Sequence, residues 1–227
     1  MNMSLVEKTG KAIESVSKME TIRPYILVGG TALSLQIENR LSEDLDFMRW
    51  QSFKGETMSV DINNIKKELQ NSHTINKVDV LDINHIEIYI DEGVKLSFYA
   101  LEKRPPIIKT VPYLNNIVLA DIGTIAALKL ETMQRRNLFR DYYDLYCIFK
   151  DKSKEEIIST IDNALKYSQH NLRSKNLLGM LCNPERFSKE PEFEQLKPKY
   201  NISAKEISEF MKKNVEMVYR LNGIENA

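Results

Sequence analysis

Between residues 25 and 48 the chain runs apolar, turns on two glycines, resumes with helically spaced apolar residues, and then alternates carboxylates with apolar side chains. That order restricts the fold more than any other feature. Tyr25-Ile26-Leu27-Val28 predicts a buried strand ending at Gly29-Gly30. Thr31 to Glu38, with Ala32, Leu33, Leu35 and Ile37, predicts a helix. Asp44-Leu45-Asp46-Phe47-Met48 predicts a strand with carboxylates on one face and apolar residues on the other. Strand, glycine turn, helix and returning strand form a unit that must bury a helix against a sheet.

The flanking sequence extends this unit. Leu5, Ile13, Val16 and Met19 predict a helix within 4–20, stopped by Pro24. An amphipathic helix is expected over 57–71, and strands over 75–81, 85–91 and 94–101. Pro105-Pro106 and Pro112 mark a loop-rich stretch, followed by a short strand at 116–119. Beyond it the pattern turns helical, over 121–150, 153–169 and 204–221, and Gly179 is the only glycine between Gly123 and Gly223. The expected class is α+β. A mixed sheet with helices occupies residues 1–118, and a helical domain occupies 119–227.

With 227 residues, 42% of them hydrophobic, the chain can bury a substantial core. Lys plus Arg and Asp plus Glu are each 32, so no net charge draws nucleic acid to the molecule as a whole. Cys147 and Cys182 lack the spacing of a zinc site or a disulfide framework. Residues 1–19 have no apolar signal core, and no run is long enough to span a membrane. The expectation is a soluble protein of the cytoplasm with no membrane partner. His73, His85 and His170 are isolated and read as surface or satisfied histidines.

Two features point to chemistry. Gly29-Gly30-Thr31 at a strand-to-helix turn lets backbone N–H groups approach a phosphate, at the end of the helix that favours negative charge. Glycine there can also serve turn geometry alone, and the chain has neither a Walker A sequence nor a complete dinucleotide-binding fingerprint. Asp44 and Asp46, two apart on a strand, repel one another unless a cation sits between them. Mg²⁺ suits such a pair, since it takes hard oxygen ligands from one or two carboxylates plus substrate phosphates. The bland alternative is a solvated strand edge. Arg40 either neutralises phosphate or pairs with Asp44, and Ser42 reads as a turn or cap before the strand.

Taken together, LVGGTALSLQIENRLSEDLDF resembles the AbiEii/AbiGii toxin family of the polymerase-β-like nucleotidyltransferase superfamily, in its Gly-Gly-Thr-Ala-Leu and Arg-x-Ser-x-Asp-Leu-Asp-Phe wording. Ile125-Ala126-Ala127-Leu128-Lys129, followed by Arg135, Arg136 and Arg140-Asp141-Tyr142-Tyr143-Asp144-Leu145, is similar to the family's helical Lys and Arg-Asp-x-x-Asp-Leu motifs. The resemblance covers roughly 25–149.

It implies a transferase that binds NTP through Gly29, Gly30, Thr31, Arg40, Ser42 and Lys129 and holds metal on Asp44 and Asp46. Lys129 then supplies positive charge to the phosphates. Asp141 or Asp144 orients it, completes the metal shell or acts as base. The superfamily often has a third carboxylate on a later strand, where this chain has Ser97. Family members act as toxins of type IV toxin–antitoxin or phage-defence systems, so a cognate antitoxin protein and an RNA acceptor such as tRNA are implied partners. Residues 166–189 set Lys166, Arg173, Lys175, Arg186 and Lys189 against Glu185, with Tyr167 and His170 available to stack on bases. The rival readings are a small-molecule, antibiotic-type nucleotidyltransferase and a non-catalytic binding module with the same fold.

Overall fold

The structure is a computed structural model that describes residues 4–102, 108–167 and 174–216. The chain divides into two compact units, Met1–Asp121 and Ile122–Ala227.

The first unit opens with α1 (Glu7–Val16), β1 (Ile26–Val28), α2 (Gly29–Ile37), β2 (Leu45–Trp50) and α3 (Ile62–Leu69). It continues with β3 (Ile75–Asp82), β4 (His85–Ile90), β5 (Val94–Leu101), β6 (Thr110–Leu114) and β7 (Ile117–Ala120). The strands form one mixed sheet in the order β3-β4-β5-β2-β1-β7-β6, with β1 parallel to β7 and β2 parallel to β5.

Strand register shows how the alternation in the sequence becomes two chemically distinct faces. Leu27 on β1 lies opposite Phe47 on β2, Phe47 opposite Phe98 on β5, and Phe98 opposite Ile86 on β4. All four are buried, and the Phe47 and Phe98 rings stack with centroids 5.4 Å apart. One residue along, Val28, Asp46, Ser97, Glu87 and Asp79 form the neighbouring row and project from the opposite face. The hydrophobic row locks the register, since a slip of one residue would bury the carboxylates.

In this first unit three expectations about elements change in detail. The first helix is shorter than its apolar spacing implied, and a 3₁₀ turn at Glu20–Ile22 separates it from β1. The helix sought over 57–71 begins at Ile62, where the Asp61 side chain accepts from Asn64 N. Pro112, taken as a loop marker, lies in β6; as an edge strand β6 tolerates a residue without an N–H donor. Pro105 and Pro106 lie outside the described residues.

The second unit is helical where described: α4 (Ile122–Thr132), α5 (Phe139–Phe149), α6 (Lys154–Tyr167), α7 (Ser174–Leu181) and α8 (Ala204–Met211). The helix expected over 121–150 is two helices, with a break at residues 133–138. α7 lies between the helical stretches expected at 153–169 and 204–221. Ser203 and Glu206 close a capping box at the start of α8. Phe139, Tyr142, Tyr143 and Phe149 of α5 are all buried; Tyr142 stacks on Phe187, and Phe139 meets Phe193 edge-on. The helix expected over 204–221 is α8 followed by a π-helical stretch at Lys212–Glu216, and 217–221 lie outside the described residues.

Candidate active site

The first group of site residues is assembled by α2 and the loop that returns from it. Gly29 has φ +71°, a left-handed conformation costly for any other residue, and a Cβ there would lie 2.7 Å from Asp46 Oδ2. A Cβ on Gly30 would lie 2.5 Å from Arg40 Nη2 and 3.3 Å from Ser42 Oγ. The two glycines thus let the Asp46 carboxylate and the Arg40 guanidinium press against the start of α2.

α2 ends with Glu38 in the left-handed region, and the chain turns back so that Arg40 reaches that start. Arg40 is buried and its Nη1 donates to Leu41 O at 2.9 Å. Thr31 is also buried: its hydroxyl donates to the Asp44 carbonyl oxygen and lies 2.8 Å from Ser42 Oγ. Thr31 and Ser42 are therefore braces between helix and strand. Backbone N–H groups at a helix start, with the Arg40 guanidinium beside them, are suited to an anion.

Asp44 and Asp46 are partly exposed, on either side of buried Leu45. Lys95 on β5 joins them, with Nζ 3.4 Å from Asp44 Oδ2 and 3.8 Å from Glu87 Oε1. Burial works against its charge, but Asp44, Asp46 and Glu87 outweigh that and hold the ammonium above the usual lysine range. Among the described residues, no cluster of three or more His, Cys, Asp or Glu side chains is arranged to hold a metal ion. Two partly exposed aspartates still suit a divalent ion that takes phosphate as part of its shell.

The second group lies in the helical unit. Lys129 Nζ on α4 donates to Asp141 Oδ1 at 2.8 Å and to Asp144 Oδ2 at 2.5 Å, both on α5. Arg136 adds two hydrogen bonds to Asp141, from Nε at 2.8 Å and from Nη2 at 3.2 Å. The lysine and both aspartates are buried. Burial opposes ionisation of Asp141, but Lys129 and Arg136 prevail and keep its carboxyl well below the usual range. So acidified a carboxylate is a weak proton acceptor, which favours an orienting role over that of a base.

Neither described histidine lies in a group of three or more His, Cys, Asp or Glu side chains arranged to hold a metal ion. His73 lies between Ser15 Oγ and Asp91 Oδ2, each 2.6 Å away. The order is that of a hydrolase triad, but the Ser15 hydroxyl also lies within hydrogen-bond reach of Ala12 O in its own helix, at 2.9 Å. His85 stacks on Tyr99, and His170 lies outside the described residues.

A family model, "Nucleotidyl transferase AbiEii toxin, Type IV TA system", matches residues 17–218. The chain belongs to the AbiEii nucleotidyl transferase toxin family. It is a nucleotidyltransferase. An uncharacterised protein of Aquifex aeolicus (strain VF5) is 25% identical over 215 residues, spanning 93% of this chain and 96% of that protein. A crystal structure from H. pylori assigned as a nucleotidyltransferase shares the fold, with TM-score 0.54 and 16% identity over 98% of this chain and 100% of the other. The nucleotidyltransferase toxin MenT4 of Mycobacterium tuberculosis H37Rv overlays with TM-score 0.47 and 13% identity, over 93% of this chain and 91% of its own.

Within this AbiEii chain, Gly29, Gly30, Thr31, Arg40, Ser42, Asp44 and Asp46 come together in one unit, and Lys129, Asp141 and Asp144 in the other. Sequence reasoning missed Lys95 and gave Arg136 no role. Lys95 was findable by its place two residues before Ser97, on the same strand face. Arg136 had no periodic signal, because it lies in the break between two helices.

Of the basic residues in 166–189, Lys189 pairs with Glu194, and Arg186 Nη2 donates to Met133 O at 3.3 Å. Lys166 and Lys175 are exposed. The side chain of Tyr167, and His170 and Arg173, lie outside the described residues. No helix among the described residues is long and apolar enough to cross a membrane.

Proposed function

We propose that this AbiEii chain transfers a nucleotidyl group from an NTP to an RNA acceptor, most directly tRNA, as the toxin of a type IV toxin–antitoxin or phage-defence system with a cognate antitoxin protein. The observation that carries the reading is the packing of the Asp46 carboxylate against Gly29, beside the Arg40 guanidinium at the start of α2. It joins a phosphate cradle to a metal-binding carboxylate in one small volume.

In this reading the backbone at Gly29, Gly30 and Thr31, with Arg40, holds the triphosphate, and Ser42 holds Thr31 in place. Asp44 and Asp46 would hold Mg²⁺. When bound, that ion supplies positive charge to the phosphate oxygens as the bond to the leaving group breaks. The acceptor hydroxyl oxygen bonds to the α-phosphorus, the α–β phosphoanhydride bond breaks, pyrophosphate leaves with the electron pair, and the hydroxyl proton passes to a base. Lys129 contributes positive charge for the phosphates. Asp141 orients it together with Arg136, and Asp144 shares the ammonium.

Residues 1–118 act as the nucleotidyltransferase domain and 119–227 as a helical domain that contributes to acceptor binding through its basic residues. Cys147 and Cys182, neither of them in a disulfide, fit the reducing cytoplasm. The test is incubation of the protein with labelled NTPs, Mg²⁺ and total RNA. Label entering tRNA supports the reading. Label entering a small hydroxylated acceptor in place of RNA contradicts the acceptor, and no transfer to any acceptor contradicts the activity.

A further inference from the structure

The carboxylate face of the sheet has a fixed positive charge built into it. Register sets Asp46, Ser97 and Glu87 side by side on β2, β5 and β4, and Lys95 shares their face two residues before Ser97. Its Nζ stands 3.4 Å from Asp44 Oδ2 and 3.8 Å from Glu87 Oε1. Ser97 is fully buried, and no hydrogen-bond partner is present for its hydroxyl. The position directly opposite Asp46 thus has a neutral residue with unused polar capacity, and the nearest charge on that strand is positive.

Such a face discriminates between one divalent ion and two. Two neighbouring carboxylates attract cations strongly, and a site of this kind with a third acid would accommodate a pair. An ammonium held among them neutralises part of that charge and repels any second divalent ion that comes within a few ångströms. Lysine suits the task, being a compact point charge whose three donors can serve several oxygens at once.

Resting on the assignment of Asp44 and Asp46 as metal ligands, we propose that Lys95 is a positioning residue that stands in for a second metal ion. It holds Asp44 in place when the site is empty, competes with the divalent ion for that carboxylate, and limits the centre to one ion.

The test is a Mn²⁺ titration of the whole chain without nucleotide, followed by electron paramagnetic resonance, which reads free ion directly and does not depend on turnover. The wild type is expected to bind one ion. Lys95→Met, which keeps the length and removes the charge, is expected to bind one ion about two- to fivefold more tightly, the size of a partly exposed ion pair removed. Lys95→Glu is expected to bind two ions, and Lys95→Arg, which keeps the charge, to stay near the wild type. Circular dichroism on each variant establishes that it folds. Two ions in the wild type, or unchanged affinity in folded Lys95→Met while Asp46→Ala loses the ion, overturns the role of Lys95 and leaves the metal site standing. Binding that Asp46→Ala does not weaken overturns the metal site itself, and the role of Lys95 with it.

Discussion

At the scale of single residues, the site depends on what two glycines make room for. Gly29→Ala places a Cβ in a left-handed conformation and within 2.7 Å of Asp46 Oδ2. It is expected to cost about 1–2 kcal/mol of stability, read from urea unfolding, and to lower kcat by displacing the carboxylate. Gly30→Ala meets mainly the far end of the Arg40 side chain, which can swing away. Stability is therefore expected to hold within about 1 kcal/mol while KM for the NTP rises, because the guanidinium leaves the helix start. Equal KM in that variant would remove Arg40 from the phosphate site. Lys129 behaves differently. Lys129→Ala leaves two buried aspartates without their shared ammonium, and a loss of about 3–5 kcal/mol is expected, measured as a lowered thermal midpoint. Its activity is then interpretable only at temperatures where the variant remains folded.

At the scale of elements, α4 and α5 are joined by a buried ion-pair cluster, and pH tests it. The Asp141 carboxyl is held below its ordinary value of 3.8 in the folded chain. A depressed carboxylate contributes stability that is present above about pH 4 and lost as pH falls below that. The urea midpoint is expected to fall from pH 5 to pH 3, and less steeply in Asp141→Asn; parallel curves would show that Asp141 is not the group concerned. Which elements form was legible where the apolar period was unbroken. Residues 26–28, 45–50, 85–90 and 94–101 became strands because alternation or an apolar run left no other way to bury Leu27, Phe47, Ile86 and Phe98. β6 was hidden by Pro112, whose cost depends on whether a strand lies at an edge, and that is decided by sheet order. The break between α4 and α5 was hidden because its residues continue the charged pattern of a helix surface. Asp44 and Asp46 were legible as a pair because two residues suffice to place them on one face. The bond from Lys129 to Asp141 and Asp144 joins positions 12 and 15 apart, and only the packing of two helices sets it.

At the scale of the whole molecule, a neutral chain must find its acceptor through local charge. Lys166 and Lys175 are exposed, whereas Lys189 and Arg186 are engaged within the protein. The double variant Lys166→Glu, Lys175→Glu is expected to weaken tRNA binding several-fold and to flatten its salt dependence by roughly 2 in the logarithmic slope. Unchanged binding would move the acceptor to another surface. The central claim is that Asp44 and Asp46 hold the metal for nucleotidyl transfer, and one comparison addresses it directly. Wild type and Asp46→Ala are incubated with labelled NTPs, total RNA and Mg²⁺, with EDTA as the control, and both are checked for equal folding. The expected result is label in RNA from the wild type, abolished by EDTA, and a rate at least about a hundredfold lower in the variant, since even residues behind a metal ligand are worth 10–100-fold. Mg²⁺-dependent labelling by Asp46→Ala at the wild-type rate would contradict it.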